Sequence, residues 1–214
     1  MNGVGGYIYR MKIAVIGAGN VGDALAKRFA NVGGHEVFIG ARNPDDKELK
    51  TIEIFDRIHV KSILKAATLA EVIVIATPAQ VAVALAAQLG DLTGKILIDA
   101  TNALREKPEP YATAFDAFQA MTKAECMKCF NSTGFENIQN PYYDNVAIDM
   151  FMAGSSTRGK ALTRQLALDA GFAECYDFGG DDKVQLLEAF AMSWINLAIM
   201  QGQGRHIAFK VLRR

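Results

Sequence analysis

Few of the features that mark a secreted, membrane-bound or nucleic-acid-binding protein are present in this sequence. Its three cysteines, Cys126, Cys129 and Cys175, do not make a disulfide framework, and they point to a reducing compartment. Cys126 and Cys129 have the CxxC spacing, but no second pair or nearby histidine completes a metal site. Three apart on a strand, they would also face opposite sides. Charge of one sign is missing too. Twenty-three basic residues balance twenty-three acidic ones, so the balance advertises neither nucleic acid nor an anionic membrane. The one local basic cluster, Arg205, Lys210, Arg213 and Arg214, reads as a solvated tail. The three histidines, His35, His59 and His206, show no partner spacing for acid–base work and are expected on the surface or in loops.

Long apolar runs are equally scarce. The opening MNGVGGYIYR holds nothing long enough for a signal peptide. The stretch from Val72 to Gly90 carries no charge, but Pro78 interrupts it, with Thr77 and Gln80 alongside. A buried strand followed by a helix explains it better than a membrane span. The expectation is a soluble, cytoplasmic protein with no membrane or nucleic-acid partner.

Half of the residues are hydrophobic, enough for a sizeable core. Strands are predicted over 11–17, 36–39, 58–61, 72–76, 95–99 and 126–131, with later ones over 151–153 and 174–178. Helices are predicted over 23–32, 45–55, 62–70, 79–89, 111–121 and 159–170, and an almost uninterrupted one over 183–200. Alternation of this kind implies an α/β fold with a doubly wound parallel sheet. The expected division is a Rossmann-type dinucleotide-binding domain over 11–181 and a short helical extension over 182–214. Residues 1–10 are expected to be disordered.

The chemistry starts at Gly17-Ala18-Gly19-Asn20-Val21-Gly22, a GxGxxG turn between strand AVI and helix DALAKRFA. In that context Gly17 permits the tight turn and Gly19 lets backbone approach a pyrophosphate. Gly22 lets the helix pack closely on the sheet, and the helix's free amides face the phosphates. An acidic residue at the end of the next strand would grip the ribose of NAD. That place holds Gly40 and Ala41, followed by Arg42 and Asn43, with Lys47 a turn further on. A guanidinium suits a 2′-phosphate, so the pattern reads as NADP.

GAGNVG, GARNP, ATPA, KCFNSTGFEN and LEAFAMSWINLAI, in that order, resemble the deazaflavin-dependent NADP oxidoreductase family. The oxidoreductase domain of the six-transmembrane metalloreductases is similar too. The resemblance implies that Gly17, Gly19, Asn20, Val21 and Gly22 hold the pyrophosphate and that Arg42 and Asn43 hold the 2′-phosphate. It places Ala76, Thr77 and Pro78 beside the nicotinamide ribose. Asn131, Ser132 and Thr133 would meet the hydride partner, a flavin-like or deazaflavin small molecule, with Met192 and Trp194 as its cover. Ala41 stands where the family often has serine, which removes one phosphate contact.

Reductases of hydroxyacids or of pyrroline carboxylate would share the first half but append a longer helical domain. Gly202-Gln203-Gly204 with Lys210 only faintly echoes their substrate motif, and DFGGDD from Asp177 has no companion kinase motif. Two alternatives to flavin-type hydride transfer remain: a non-catalytic NADP(H) sensor, and a reductase of a small carbonyl or imine. No catalytic side chain is assigned, because no histidine pair or fitting lysine is visible. The helix over 183–200 is apolar nearly all round, which predicts a homodimer.

Overall fold

A computed structural model describes residues 10–103 and 106–214; the expectation for residues 1–9 lies outside the described residues. The elements run β1 (Lys12–Ile16), α1 (Asn20–Asn31), β2 (Glu36–Ala41), α2 (Lys47–Lys50), β3 (Ile58–Ser62), α3 (Ile63–Leu69) and β4 (Val72–Ile75). Then come α4 (Ala82–Leu89), β5 (Ile96–Asp99), α5 (Ala114–Thr122), β6 (Glu125–Cys129) and α6 (Phe135–Gln139). A small hairpin of β7 (Tyr142–Tyr143) and β8 (Val146–Ala147) precedes β9 (Met150–Ala153), α7 (Thr157–Asp169), β10 (Cys175–Asp177) and α8 (Val184–Ile195).

Eight strands form one sheet in the order β10-β9-β6-β5-β4-β1-β2-β3. The central strands are apolar and buried on both faces, as a parallel sheet clad by helices requires. Alternate residues divide between two cores. Ile13, Val15, Val74 and Ile98 pack with α1 and α7 residues such as Phe29 and Leu166. Ala14, Ile16, Ile73 and Leu97 pack with α3, α4, α5 and α8 residues such as Ala66, Leu85, Phe118 and Leu187. Strand order reverses about β1 and β4, which pair in parallel, so the crevice at their carboxyl ends is the ligand site such sheets provide.

The mostly parallel α/β fold is as expected, with four local differences. First, β9 pairs antiparallel with β6, and β10 follows β9, so the last two strands run against the others. The connection between β6 and β9 holds only the five-residue α6 and the β7–β8 hairpin, and it brings β9 back antiparallel beside β6. Second, the helix expected over 45–55 shrinks to α2 and a 3-10 turn over Thr51–Ile54. Threonine and isoleucine are weak helix formers there, and Glu53 accepts a hydrogen bond from the Val60 amide, tying the turn to β3. Third, the helix expected over 183–200 changes at Asn196 into a single π turn ending at Met200. The start of α5 is set by a capping box between Thr113 and Asp116 rather than at Tyr111.

Candidate functional site

The β1–α1 turn separates its glycines by what surrounds them. Gly17 has φ +111°, and a side-chain carbon there would sit 2.6 Å from the Ala76 carbonyl oxygen. At Gly22 it would sit 1.9 Å from the Gly17 carbonyl oxygen, so the helix can lie on the turn only without a side chain. Gly19 is different. Its backbone is ordinarily extended, at φ −76° and ψ −176°, and a Cβ would meet nothing within 4 Å. Nothing inside the protein requires glycine at that position. It caps α1 without a side-chain bond, and the first-turn amides have no helical acceptors. An uncapped twelve-residue helix with open space before it is fitted for a phosphate.

At the end of β2, Gly40 is an internal requirement. A Cβ there would come within 2.4 Å of Ile16 Cδ1, and its carbonyl accepts from the Gly17 amide at 3.2 Å. The strand thereby abuts the glycine turn and carries Ala41, Arg42 and Asn43 past its rim. Arg42, Asn43 and Lys47 are all exposed beside one another in sequence around the turn that opens α2. No carboxylate stands at Gly40 or Ala41 to repel a phosphate.

Across the switch point, the Ala76 amide donates to the Ile16 carbonyl, holding Ala76 and Thr77 against Gly17. Thr77 Oγ1 is buried and has no partner. Pro78 is exposed and leads into a 3-10 turn over Ala79–Val81. At the end of β6, Phe130 turns into the left-handed region with φ +63° although it is fully buried. That bend, which costs a non-glycine residue about 1–2 kcal/mol, directs the residues that follow. Asn131 donates to Asn102 Oδ1, and Asn102 donates back to the Asn131 carbonyl. Asn131 Oδ1 and Thr101 Oγ1 remain buried without partners. Ser132 and Thr133 turn inward: Ser132 Oγ donates to Met150 Sδ, and Thr133 Oγ1 accepts from Asn137. Trp194 closes over this loop. Its ring would meet a Cβ on Gly134 at 2.7 Å, and its Nε1 donates to the Ile207 carbonyl.

Several expectations are corrected. His35 is not a surface residue but fully buried. Its Nδ1 accepts from the Met11 amide, so Nε2 carries the proton and donates to Asp169 at 3.0 Å. Burial lowers its pKa below the usual histidine value, and Asp169 opposes only part of that. The basic tail keeps its exposure, but it is docked on the body of the protein rather than free. Arg205 pairs with Glu136 and lies over the Phe135 and Trp194 rings. Lys210 pairs with Asp149, a carboxylate that is otherwise buried. Arg213 lies over Tyr176.

A lysine does occupy a telling position: Lys128, wholly buried, bonds Asp99, Glu188 and the Thr101 carbonyl. Burial alone would depress its pKa, but attraction to Asp99 and then Glu188 outweighs this and raises it above the ordinary value. The signal was visible: KILID and ECMKC each place a charge, Asp99 and Lys128, at the carboxyl end of a mostly apolar strand, and the two are register partners. Cys126 and Cys129 do fall in opposite cores, and burial pushes the Cys126 thiol up to about 12. Among the described residues no group of side chains could hold a metal ion, and no helix is long and apolar enough to cross a membrane.

Sheet order and glycine turn together define a Rossmann-type, dinucleotide-binding fold. Residues 12–103 match the family model described as NADP oxidoreductase, coenzyme F420-dependent, a stretch that holds three of the five motifs, GAGNVG, GARNP and ATPA. A solved structure from Arthrobacter sp. FB24, provisionally named as an F420-dependent NADP reductase, is 26% identical. It covers 95% of this chain and 100% of its own, with a TM-score of 0.79. A reductive aminase of Aspergillus terreus solved with NADPH and ethyl levulinate shares the fold at 18% identity and TM-score 0.65. It covers 90% of this chain and 63% of that one. A curated relative, glycerol-3-phosphate dehydrogenase [NAD(P)+] of Chlorobium phaeobacteroides, is 36% identical over 111 residues. That match spans 45% of this chain and only a third of the relative's length, 33%. Family and relatives are NAD(P)-dependent oxidoreductases, and they support NADP(H) as the cofactor.

Proposed function

We propose that the chain binds NADP(H) over the β1–β4 crevice and passes a hydride between NADPH and a planar, flavin-like or deazaflavin acceptor. The observation that carries this reading is the glycine turn, where Gly19 alone is glycine without an internal reason. Gly17, Gly19, Asn20, Val21 and Gly22 hold the pyrophosphate, while Arg42, Asn43 and Lys47 hold the 2′-phosphate. Ala76, Thr77 and Pro78 line the nicotinamide-ribose side, where the unpartnered Thr77 hydroxyl fits a ribose or carboxamide group. Asn131, Ser132, Thr133 and Trp194 frame the acceptor side, directly or by shaping the loop. In this reading 11–181 is the cofactor-binding unit and 182–214 its cover.

When bound, the nicotinamide supplies the hydride from C4. The side chains orient two flat rings and exclude water. Reduction of a carbonyl or imine needs a proton placed beside the hydride. Two observations support a reaction without one. The three protons of Lys128 are all engaged and enclosed. His35 precedes β2, at the amino ends of the strands and so at the other end of the sheet from the crevice. The fold shared with reductive aminases keeps the imine reading alive as the alternative. Transfer from 4-deuterated NADPH, in anaerobic single turnovers with flavin, deazaflavin and cyclic imine acceptors, tests it. Label retained at C5 of the deazaflavin, or a deuterium isotope effect on flavin reduction (label at N5 exchanges with water), supports the proposal. Label only on the imine carbon replaces it, and binding without transfer to any acceptor identifies a sensor.

The same reading includes a homodimer. Along this C-terminal flank, α8 and the π turn leave Leu186, Leu197, Ile199 and Met200 exposed. A two-fold axis beside that flank would cover them with their own copies.

A further inference from the structure

Lys128 lies at the last turn of β6 opposite Asp99 of β5, and α8 closes over both with Glu188. Its ammonium gives one proton each to Asp99 Oδ2 at 2.9 Å, the Thr101 carbonyl at 2.6 Å and Glu188 Oε1 at 2.6 Å. Both carboxylates spend their second oxygen on the same short turn. Asp99 Oδ1 accepts from the Thr101 amide at 2.9 Å, and Glu188 Oε2 accepts from the Ala103 amide at 3.2 Å. The backbone on either side of Asn102 is therefore gripped by one buried ion cluster. Asn102 projects from this turn, and its exposed amide interlocks with Asn131.

We propose that Lys128 is a positioning residue, which acts through Asp99 and Glu188 to fix the Thr101–Ala103 turn and, through Asn102, the amide of Asn131 at the nicotinamide end of the site. The inference rests on the NADP(H) reading above. Three features separate it from a purely structural ion cluster. Well-packed hydrophobic side chains usually stabilise a core as well as a buried ion cluster, so stability alone does not call for one here. Among the described residues, every bond of the cluster beyond its own ion pairs goes to the one turn, not to the helices or strands generally. Two of the six side-chain polar atoms left buried and unpaired among the described residues, Thr101 Oγ1 and Asn131 Oδ1, belong to the residues that this cluster and the Asn102 lock hold. The left-handed Phe130, between Lys128 and Asn131, shows that the backbone here is bent against its preference to bring Asn131 round.

The test compares two probes on the full chain: NADPH, and adenosine 2′,5′-bisphosphate, which lacks the nicotinamide half. Asn102→Ala removes the lock from an exposed position, and Glu188→Gln weakens the grip from α8. Each is expected to weaken NADPH about five- to tenfold, the loss of roughly one hydrogen bond, while the bisphosphate stays within about twofold. Lys128→Met follows the same pattern if it folds; if it does not, Asn102→Ala carries the test. Melting temperature is recorded for each variant. Equal weakening of both probes, or none of either, overturns the positioning role and leaves a structural ion cluster. A parent protein that binds neither probe removes the NADP(H) reading itself, and the positioning role with it.

Discussion

Replacing Gly19 with alanine separates binding from folding, because its surroundings differ so sharply from those of Gly22. In the protein the added methyl meets nothing within 4 Å, and φ −76° with ψ −176° suits any residue. Alanine restricts the unfolded chain, which stabilises by about 0.4–1 kcal/mol. It is a poorer helix cap than glycine by roughly 0.5–1 kcal/mol. The two nearly cancel, so the melting temperature of Gly19→Ala should stay within a few degrees of the parent. The methyl would nonetheless stand where the pyrophosphate must approach the first-turn amides. Charge-assisted hydrogen bonds of this kind contribute about 1.5–3 kcal/mol each, so losing one weakens NADPH roughly ten- to a hundredfold. Gly22→Ala should do the reverse in kind. Its methyl would lie 1.9 Å from the Gly17 carbonyl oxygen, and overpacking of about 1–3 kcal/mol lowers the melting temperature by on the order of 2–12 °C. Calorimetric titration with NADPH and thermal unfolding, on both variants, decide the matter. Gly19→Ala binding NADPH as tightly as the parent would refute the placement of the pyrophosphate.

Arg42→Ala should weaken NADPH about ten- to a hundredfold and leave NADH nearly unchanged, measured by the same titration; equal losses for both cofactors sink the 2′-phosphate assignment. Light scattering should give twice the chain mass of 23.2 kDa at micromolar concentration, and Leu197→Glu should halve it without unfolding the protein. A monomeric parent rejects the dimer. Burial lowers the pKa of His35, so the unfolded chain takes up the proton first as pH falls. Its contribution is therefore complete above about pH 6.5 and lost as pH drops through the folded value. Urea unfolding between about pH 7 and 5 should show a steeper loss for the parent than for His35→Gln, and equal slopes would contradict this.

What was readable in advance depended on range. The strands from β1 to β6 declare themselves because each is an apolar run bounded by a turn, and the glycine turn because strand and helix flank it within a dozen residues. The buried partners were not readable in the same way. Asp149 waits for Lys210, Glu136 for Arg205, and Asp169 for His35, and no local pattern joins residues so far apart. The tail therefore looked like solvated charge until its acceptors were in place. The direction of β9 was hidden for a related reason: a two-residue hairpin leaves almost no periodicity. Lys128 could have been suspected, since a charge within a doubly buried strand must find a partner. The neighbouring strand offers only Asp99.

The docking of the tail also bears on how the chain folds as it is made. The Asp149 carboxylate is nearly inaccessible, and the groups that satisfy it, the Lys210 ammonium and the Val211 amide, follow it by 61 and 62 residues. Trp194 and Asn137 likewise take Ile207 as a partner. On the ribosome, the sheet as far as β6 can assemble with its own helices, since domains form from the N-terminus as they emerge. The β9 edge cannot be completed then, because a buried carboxylate without its counter-charge is costly. The crevice between β1 and β4 is thus shaped early, whereas the cover over the β6 loop arrives only after residues 205–211 have left the exit tunnel.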